Sequence, residues 1–371
     1  VRILITGSNG FIGRNLVERL SFMGYELVFF TRSSSSQELT KLLNGVDFIF
    51  HLAGVNRPIV DSEFIPGNHE LTKKLIEAIE ESGREIPVLF SSSTQAESEN
   101  TYGQSKKMAE QELLDFSMRS GNPVYIYRLC NVFGKWSKPN YNSVVATFCH
   151  NVANGIDCVV HDAKSKVRLV YIDDVVKEFC ELLKLSTFEK VEVKYVNPSY
   201  EVSVVELLRD IQNFSKIHET NKVPDLTNHF IKKLYSTYLS FVDEKELSYG
   251  LVERADERGV LFEALKSEAF GQIFISKTNP GYIRGNHYHN TKVEKFCVIE
   301  GDAEVLLRDI NSNKIIKYSL SGSSPEVLDI PPGMTHSIQN IGEDVLITMF
   351  WANEEFDQEK PDTYFLEVKN G

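Results

Sequence analysis

The sequence predicts an α/β doubly wound parallel sheet followed by an all-β barrel or sandwich, on three observations. The chain has 371 residues, more than one typical hydrophobic core supports, so two cores are expected. From 1 to about 207, short apolar runs (3–6, 27–30, 48–51, 88–92, 124–129 and 169–172) alternate with helix-patterned segments (11–23, 68–82, 106–118 and 144–154). Apolar strands alternating with helices make a parallel sheet covered on both faces. Beyond 270 the pattern turns to short β-rich runs (272–277, 295–299, 303–308, 315–320, 327–330 and 345–351) separated by Gly, Asn and Pro, as in antiparallel strands. A helix and linker around 221–243 join the two parts, so the expected domains are 1–243 and 244–371.

Hydrophobic residues make up 42% and charged residues 25%, the balance of a soluble globular protein. The net charge of −12 argues against nucleic acid as a partner, which needs a basic face, and leaves any phosphorylated ligand to individual arginines. The five cysteines, at 130, 149, 158, 180 and 297, form no C-x-x-C pair and no framework spacing, which fits reduced thiols in a cytoplasmic protein. Neither a signal peptide nor a membrane span is expected, since the first residues read as a strand and no apolar run reaches ~18 residues.

Along the first part, the first strand runs into Thr6-Gly7-Ser8-Asn9-Gly10-Phe11-Ile12-Gly13. Glycines between a strand and a helix permit a tight turn and let a pyrophosphate approach the helix N-terminus, where N–H groups and the dipole favour anions. Gly7, Asn9, Gly10, Phe11, Ile12 and Gly13 are therefore candidate dinucleotide contacts; the plain alternative is a tight strand–helix turn. The second strand ends Phe30-Thr31-Arg32-Ser33, with no acid for a ribose 2′-OH. An arginine there pairs a 2′-phosphate, which favours NADPH over NADH, unless Arg32 is merely a solvated loop residue. His51-Leu52-Ala53-Gly54 follows the third strand and offers Leu52 and Ala53 to the same cofactor.

Ser91-Ser92-Ser93-Thr94 ends the fourth strand, and Tyr102 and Lys106 then share a helix face at a spacing of four. An ammonium there depresses the phenol's pKa, while a serine hydroxyl holds a substrate carbonyl. With the glycine turn, His51–Gly54 and Arg128-x-x-Asn131-Val-Phe-Gly134, this set resembles the extended short-chain dehydrogenase/reductase family and its Rossmann-type fold. The resemblance implies that Ser93 (Thr94 as the fallback), Tyr102 and Lys106 are catalytic, and that Tyr102 and Lys106 also touch the cofactor. It further implies that Asn131 and Arg168 hold a nucleotide diphosphate, whereas Arg128 and Asp174 read equally as a structural ion pair. Tyr102 follows Ser93 by only nine positions, a shortened loop for that family. Dehydratases of the family carry an Asp-Glu pair where this chain has Gln95-Ala96, so ketone reduction or C4 epimerisation remains.

The second part carries Gly281-x(5)-His287-x-His289-x(4)-Glu294-x(6)-Gly301 and Pro331-x-Gly333-x(2)-His336-x(3)-Asn340. Imidazoles two apart on a strand point the same way, and a glutamate and third histidine from neighbouring strands close around one divalent ion. Three nitrogens and a carboxylate suit zinc best, with nickel, manganese or iron as alternatives. These two motifs resemble the cupin family of small β-barrels. Arg258, Glu263, Arg284 and His287 also resemble the dTDP-4-keto-6-deoxysugar 3,5-epimerases, themselves cupins. There the equivalents of Arg258, Glu263 and Arg284 bind the sugar nucleotide, and that of His287 is the proton-abstracting base. Those enzymes have glutamine at the place of His289 and need no metal, so His287 reads either as fourth metal ligand or as free base.

Reductase followed by cupin resembles the CapF family of capsular-polysaccharide synthesis enzymes over the whole chain, down to Phe133–Asn142, Leu234–Ser240 and Pro361-Asp-Thr-Tyr-Phe-Leu-Glu367. The resemblance implies a bifunctional enzyme acting on UDP-2-acetamido-2,6-dideoxy-4-hexulose, a UDP-linked 4-keto-6-deoxy-N-acetylhexosamine. The cupin inverts C3 and the reductase reduces C4 with NADPH, giving UDP-N-acetyl-6-deoxy-L-talosamine on the route to UDP-N-acetyl-L-fucosamine. It also implies a homodimer or higher homo-oligomer. Elementary chemistry sets the order, because a C3 proton is acidic only while C4 is a ketone. The rival readings are a single-activity reductase whose cupin is structural, and a cupin that senses a sugar without chemistry.

Overall fold

The computed structural model describes residues 1–185, 191–220, 222–251, 254–256, 259–261, 266–267, 272–354 and 359–369, which fall into two compact units. The first comprises Val1–Phe133, Asn140–Ser143 and Lys166–Val202. Its elements in order are β1 (Arg2–Thr6), α1 (Phe11–Phe22), β2 (Glu26–Phe30), α2 (Ser36–Leu42), β3 (Phe48–His51), α3 (Leu71–Ser82), β4 (Val88–Ser93), α4 (Thr101–Ser120), β5 (Val124–Leu129), β6 (Asn131–Phe133), β7 (Lys166–Tyr171), α6 (Ile172–Leu182), β8 (Val191–Lys194) and β9 (Ser199–Ser203), α5 (Val144–Ala153) belonging to the other unit.

Strands lie in the order β2-β1-β3-β4-β5-β8, every pairing parallel, as the alternation of runs predicts. The strands bury Leu4, Ile49, Phe90 and Ile126, and α3 and α4 cover them with Leu75, Ile79, Leu113 and Phe116. The chain reverses its winding between β1 and β3, and ligands of open α/β sheets bind at the carboxyl ends of strands flanking such a point. Helix α4 starts five residues earlier than its apolar pattern suggests. Asn100 caps it by accepting from Gly103 N at 2.8 Å, a bond worth about 1 kcal/mol, and so places Tyr102 in the first turn. The strands β8 and β9 escape the sequence pattern because they lie at sheet margins, where β8 exposes its valines and half-buries Glu192 and Lys194 and β9 has no buried face.

The second unit comprises Gly134–Pro139, Val144–Ser165 and Ser203–Gly371, so the compact units do not follow the division at 243/244. Helices α5, α7 (Val204–Ser215), α8 (Ile217–Thr220) and α9 (His229–Leu239) belong here. Phe214 of α7 packs on Tyr235 and Tyr238 of α9 at ring separations of 5.2 and 5.8 Å. Ser236 of α9 donates to Thr291 O, and His218 of α8 meets Asp329 at 3.0 Å, ties that an apolar periodicity does not display.

Apart from a short parallel pair, Lys222–Val223 with Lys266–Ser267, the main strands of this unit are antiparallel: β10 (Ser248–Gly250), β11 (Gln272–Thr278), β12 (Ile283–Tyr288), β13 (Glu294–Glu300), β14 (Asp302–Asp309), β15 (Ile315–Ser321), β16 (Glu326–Ile330), β17 (Met334–Asn340), β18 (Leu346–Ala352) and β19 (Tyr364–Phe365). They form two five-stranded sheets, β10-β16-β13-β18-β11 and β15-β14-β17-β12-β19. Phe296, Val298, Val305, Leu307, Leu328 and Ile338 from both sheets make the core between them. The cupin barrel predicted for this part is thus present as two facing sheets.

Candidate reductase and metal sites

The glycine turn is as close as its motif requires. Gly7 has φ +72°, and a Cβ there would sit 2.6 Å from Ala53 N, so only glycine lets Leu52 and Ala53 lie against it. A Cβ on Gly13 would sit 2.1 Å from Gly7 O. Helix α1 begins at Phe11 with no side-chain cap and no acidic residue in its first turn, and the cradle fits a pyrophosphate. Thr6 and His51, which the sequence offered only as parts of motifs, hold the far wall. His51 Nδ1 meets Thr6 Oγ1 at 2.8 Å, and Thr6 Oγ1 accepts from Ala53 N at 3.1 Å. Burial, aided by the Lys106 charge, lowers the His51 imidazole to about 3, so it is neutral and serves as a brace. Arg32 is exposed in the turn after β2.

The three residues expected to be catalytic meet at the end of β4. Ser93 is buried there and accepts from Gln95 N at 3.1 Å, and its hydroxyl acts on the Tyr102 phenol. Burial raises the Tyr102 phenol, with the Ser93 hydroxyl opposing, so the lowering by Lys106 expected from the spacing is not found and the phenol stays protonated. Lys106 is buried, donates to Ser91 O at 3.0 Å and lies 4.7 Å over the Phe90 ring. Burial lowers its ammonium to about 8, with the Glu110 charge resisting. Arg128 pairs with Glu110 at 2.7 Å and Glu97 at 2.6 Å, so the ion pair with Asp174 read from the sequence is replaced by these two. Thr94, Arg128, Arg168, Tyr195 and Ser199 line one pocket. Asn131 donates to Arg168 O at 3.2 Å and Arg168 to Ser199 Oγ at 2.9 Å, which brings the two diphosphate candidates onto adjacent strands.

In the second unit, His287, His289, Glu294 and His336 do converge, with their ligand atoms within 4.8 Å of one another. A bulge at Gly285 and Asn286 re-aims the end of β12. Gly285 has φ +98° and Asn286 φ +57°, and a Cβ on Gly285 would meet His336 O at 2.8 Å. His287 then lies opposite His336 on β17. Glu294 Oε2 is 3.2 Å from His289 Nε2 and 3.1 Å from His336 Nε2. Burial alone would raise its carboxyl, but the two imidazoles reverse that and hold it well below the usual carboxylate range. Burial, with His336 and His289 beside it, lowers His287 to about 4.

These contacts are close without being aligned as hydrogen bonds: both Nε2 atoms are buried with no hydrogen-bond partner. Orphaned nitrogens facing a carboxylate fit a cation, and ligand edges of a tetrahedral zinc with bonds of about 2.0–2.1 Å span roughly 3.3 Å. A cavity of ≈ 420 Å³ opens on Lys277, Arg284, His287, Glu294 and His336, while His289 stays behind it. The Arg284 guanidinium donates to Thr278 Oγ1 at 2.9 Å and Lys277 O at 3.1 Å. Arg258 and Glu263 lie outside the described residues.

Comparison with known proteins agrees with both halves. The model of the NAD dependent epimerase/dehydratase family matches residues 3–193, and that of the polysaccharide biosynthesis C-terminal domain matches 254–364. The chain is 45% identical over 374 residues to UDP-2-acetamido-2,6-beta-L-arabino-hexul-4-ose reductase of Pseudomonas aeruginosa, covering 100% of both chains. It resembles the crystal structure of the capsular polysaccharide assembling protein CapF of Staphylococcus aureus with 40% identity and a TM-score of 0.68, covering 99% of this chain and 100% of that one. The UDP-glucose 4-epimerase of Thermotoga maritima, at 22% identity and TM-score 0.53 over 58% of this chain and 82% of its own, shares the fold.

Proposed function

The chain belongs to the NAD dependent epimerase/dehydratase family and to the CapF family, and from that premise we propose that it epimerises C3 of a UDP-2-acetamido-2,6-dideoxy-4-hexulose and then reduces C4 with NADPH. The chain is a UDP-4-ketosugar reductase of polysaccharide biosynthesis. The observation that carries the reductase is buried Ser93 at the end of β4 with Tyr102 and buried Lys106 four residues apart on α4.

Bound NADPH supplies hydride to the ketone carbon. Ser93 holds the ketone oxygen, and the Tyr102 hydroxyl gives it a proton as charge develops there. A phenol kept protonated by burial is the form that reduction needs. Lys106 places a positive charge beside the pair, and Asn131 and Arg168 take the nucleotide diphosphate. The product expected is UDP-N-acetyl-6-deoxy-L-talosamine.

For the first step, His287, His289, Glu294 and His336 would hold a divalent ion, zinc by donor chemistry, which would supply Lewis acidity beside the sugar's ketone. Arg284 binds the sugar nucleotide at the cavity mouth. A second reading has its own support, since four protein ligands complete a tetrahedral zinc and close it as a structural site. His336→Ala separates them. A structural metal predicts a lower melting temperature with exchange partly kept; a catalytic one predicts lost exchange with stability retained. Purified, unchelated protein containing no metal would defeat both and return His287 to the role of free base.

A further inference from the structure

The segment 361–367 has no part in either site, yet its Asp362 has φ +35°, in the left-handed region, and is tied into the turn after His289. Its Oδ1 accepts from Asn290 N at 3.1 Å, and its Oδ2 accepts from Thr291 N, Thr291 Oγ1 and Lys292 N, each at 2.8 Å. Its own carbonyl oxygen lies 2.6 Å from His289 Nδ1. We propose that Asp362 is a positioning residue for the metal centre, a carboxylate latch that fixes the ring and tautomer of His289.

The chemistry runs through one proton. A carbonyl oxygen only accepts, so His289 Nδ1 carries the hydrogen, and in the neutral ring that a metal binds Nε2 keeps the lone pair. That lone pair faces Glu294 Oε2 at 3.2 Å, buried and without a hydrogen bond, two acceptors that a cation reconciles. The carbonyl stays in place because the segment is fastened on both sides. Lys292 Nζ donates to Pro361 O at 2.9 Å. Beyond it β19 pairs with β12, Tyr364 opposite Tyr288 and Phe365 opposite His287, and Leu366 N donates to Asn286 O at 2.8 Å. Arg308 clamps the carbonyls of Glu367 and Val368, each at 3.0 Å. Removing the carboxylate strips three consecutive N–H groups of their acceptor, so the turn relaxes and the imidazole loses its fixed tautomer.

The inference rests on the metal reading of the four-residue site. The test uses the full chain with zinc, in competition with a chromogenic chelator, and the visible absorption of the cobalt-loaded protein. Asp362→Ala is expected to weaken zinc binding by about 10–100-fold, the usual consequence of losing a partner behind a histidine ligand, and to change the cobalt bands. Asp362→Asn keeps the size and one acceptor oxygen, is expected to weaken binding less, and decides the matter alone should the alanine variant not fold. Zinc affinity within about twofold of the parent protein and an unchanged cobalt spectrum in a folded variant would overturn the latch, because a merely structural role alters melting and not ligand field. A parent protein that binds no zinc overturns the metal reading instead.

Discussion

The two sites treat buried polar groups in opposite ways. Around Tyr102 the groups satisfy one another: Lys106 donates to Ser91 O, Ser93 accepts from Gln95 N, and Glu110 accepts from Ser92 and Arg128. Around Glu294 they do not, since two imidazole nitrogens face one carboxylate oxygen without a hydrogen bond. The first arrangement is complete in the bare chain and awaits only cofactor and ketone. The second sets two orphaned imidazole nitrogens against one carboxylate, an arrangement that the proposed cation would complete. The difference teaches where each site should fail: the reductase at a single proton, the other at a missing ion.

Four experiments break or sharpen that contrast. Tyr102→Phe removes the general acid and should slow NADPH oxidation by ~100-fold or more at saturating cofactor, measured by absorbance at fixed pH. A residual rate within a few-fold of the parent would shift the acid to another group. Removing zinc with a chelator, then restoring it, should abolish and recover C3 exchange while NADPH oxidation of an already epimerised ketosugar holds. Joint loss of both activities would mean the metal serves the whole chain.

Arg32→Asp replaces an arginine–phosphate pair by like charges and should erase the preference for NADPH over NADH in kcat/KM. Unaltered selectivity would make Arg32 a solvated loop residue. The smallest effect is in the pH profile. Lys106 loses its charge as pH rises through about 8, below the ordinary lysine range, so reduction should decline on the alkaline side of that value. Glu110 resists this lowering, so Glu110→Gln should move the decline to lower pH. A move to higher pH would contradict the assigned role of that carboxylate.

Much of this was legible in the sequence, for stated reasons. Gly7 and Gly13 are forced by close backbone approach, and Tyr102/Lys106 and His287/His289 by the periods of helix and strand, so spacing alone reveals them. The apolar runs gave the parallel sheet and most of the barrel. What stayed hidden depends on contacts between distant segments. Nothing in the pattern places Asp362 against a turn seventy-odd residues earlier, or puts Glu110 rather than Asp174 on Arg128. The helices α5, α7 and α9 read as part of the first fold because periodicity reports which face is buried and not on what.

The most direct test of two separable chemistries is proton exchange in the reductase-dead protein. Tyr102→Phe is incubated with zinc and the UDP-4-ketosugar in D2O, and C3 deuteration is followed by NMR or mass spectrometry alongside NADPH. Deuterium should enter C3 at about the parent rate while NADPH is left unconsumed, because the proposed C3 chemistry lies at the His287 site and not at Tyr102. A folded, zinc-loaded variant that neither oxidises NADPH nor exchanges C3 would show one site where two are claimed.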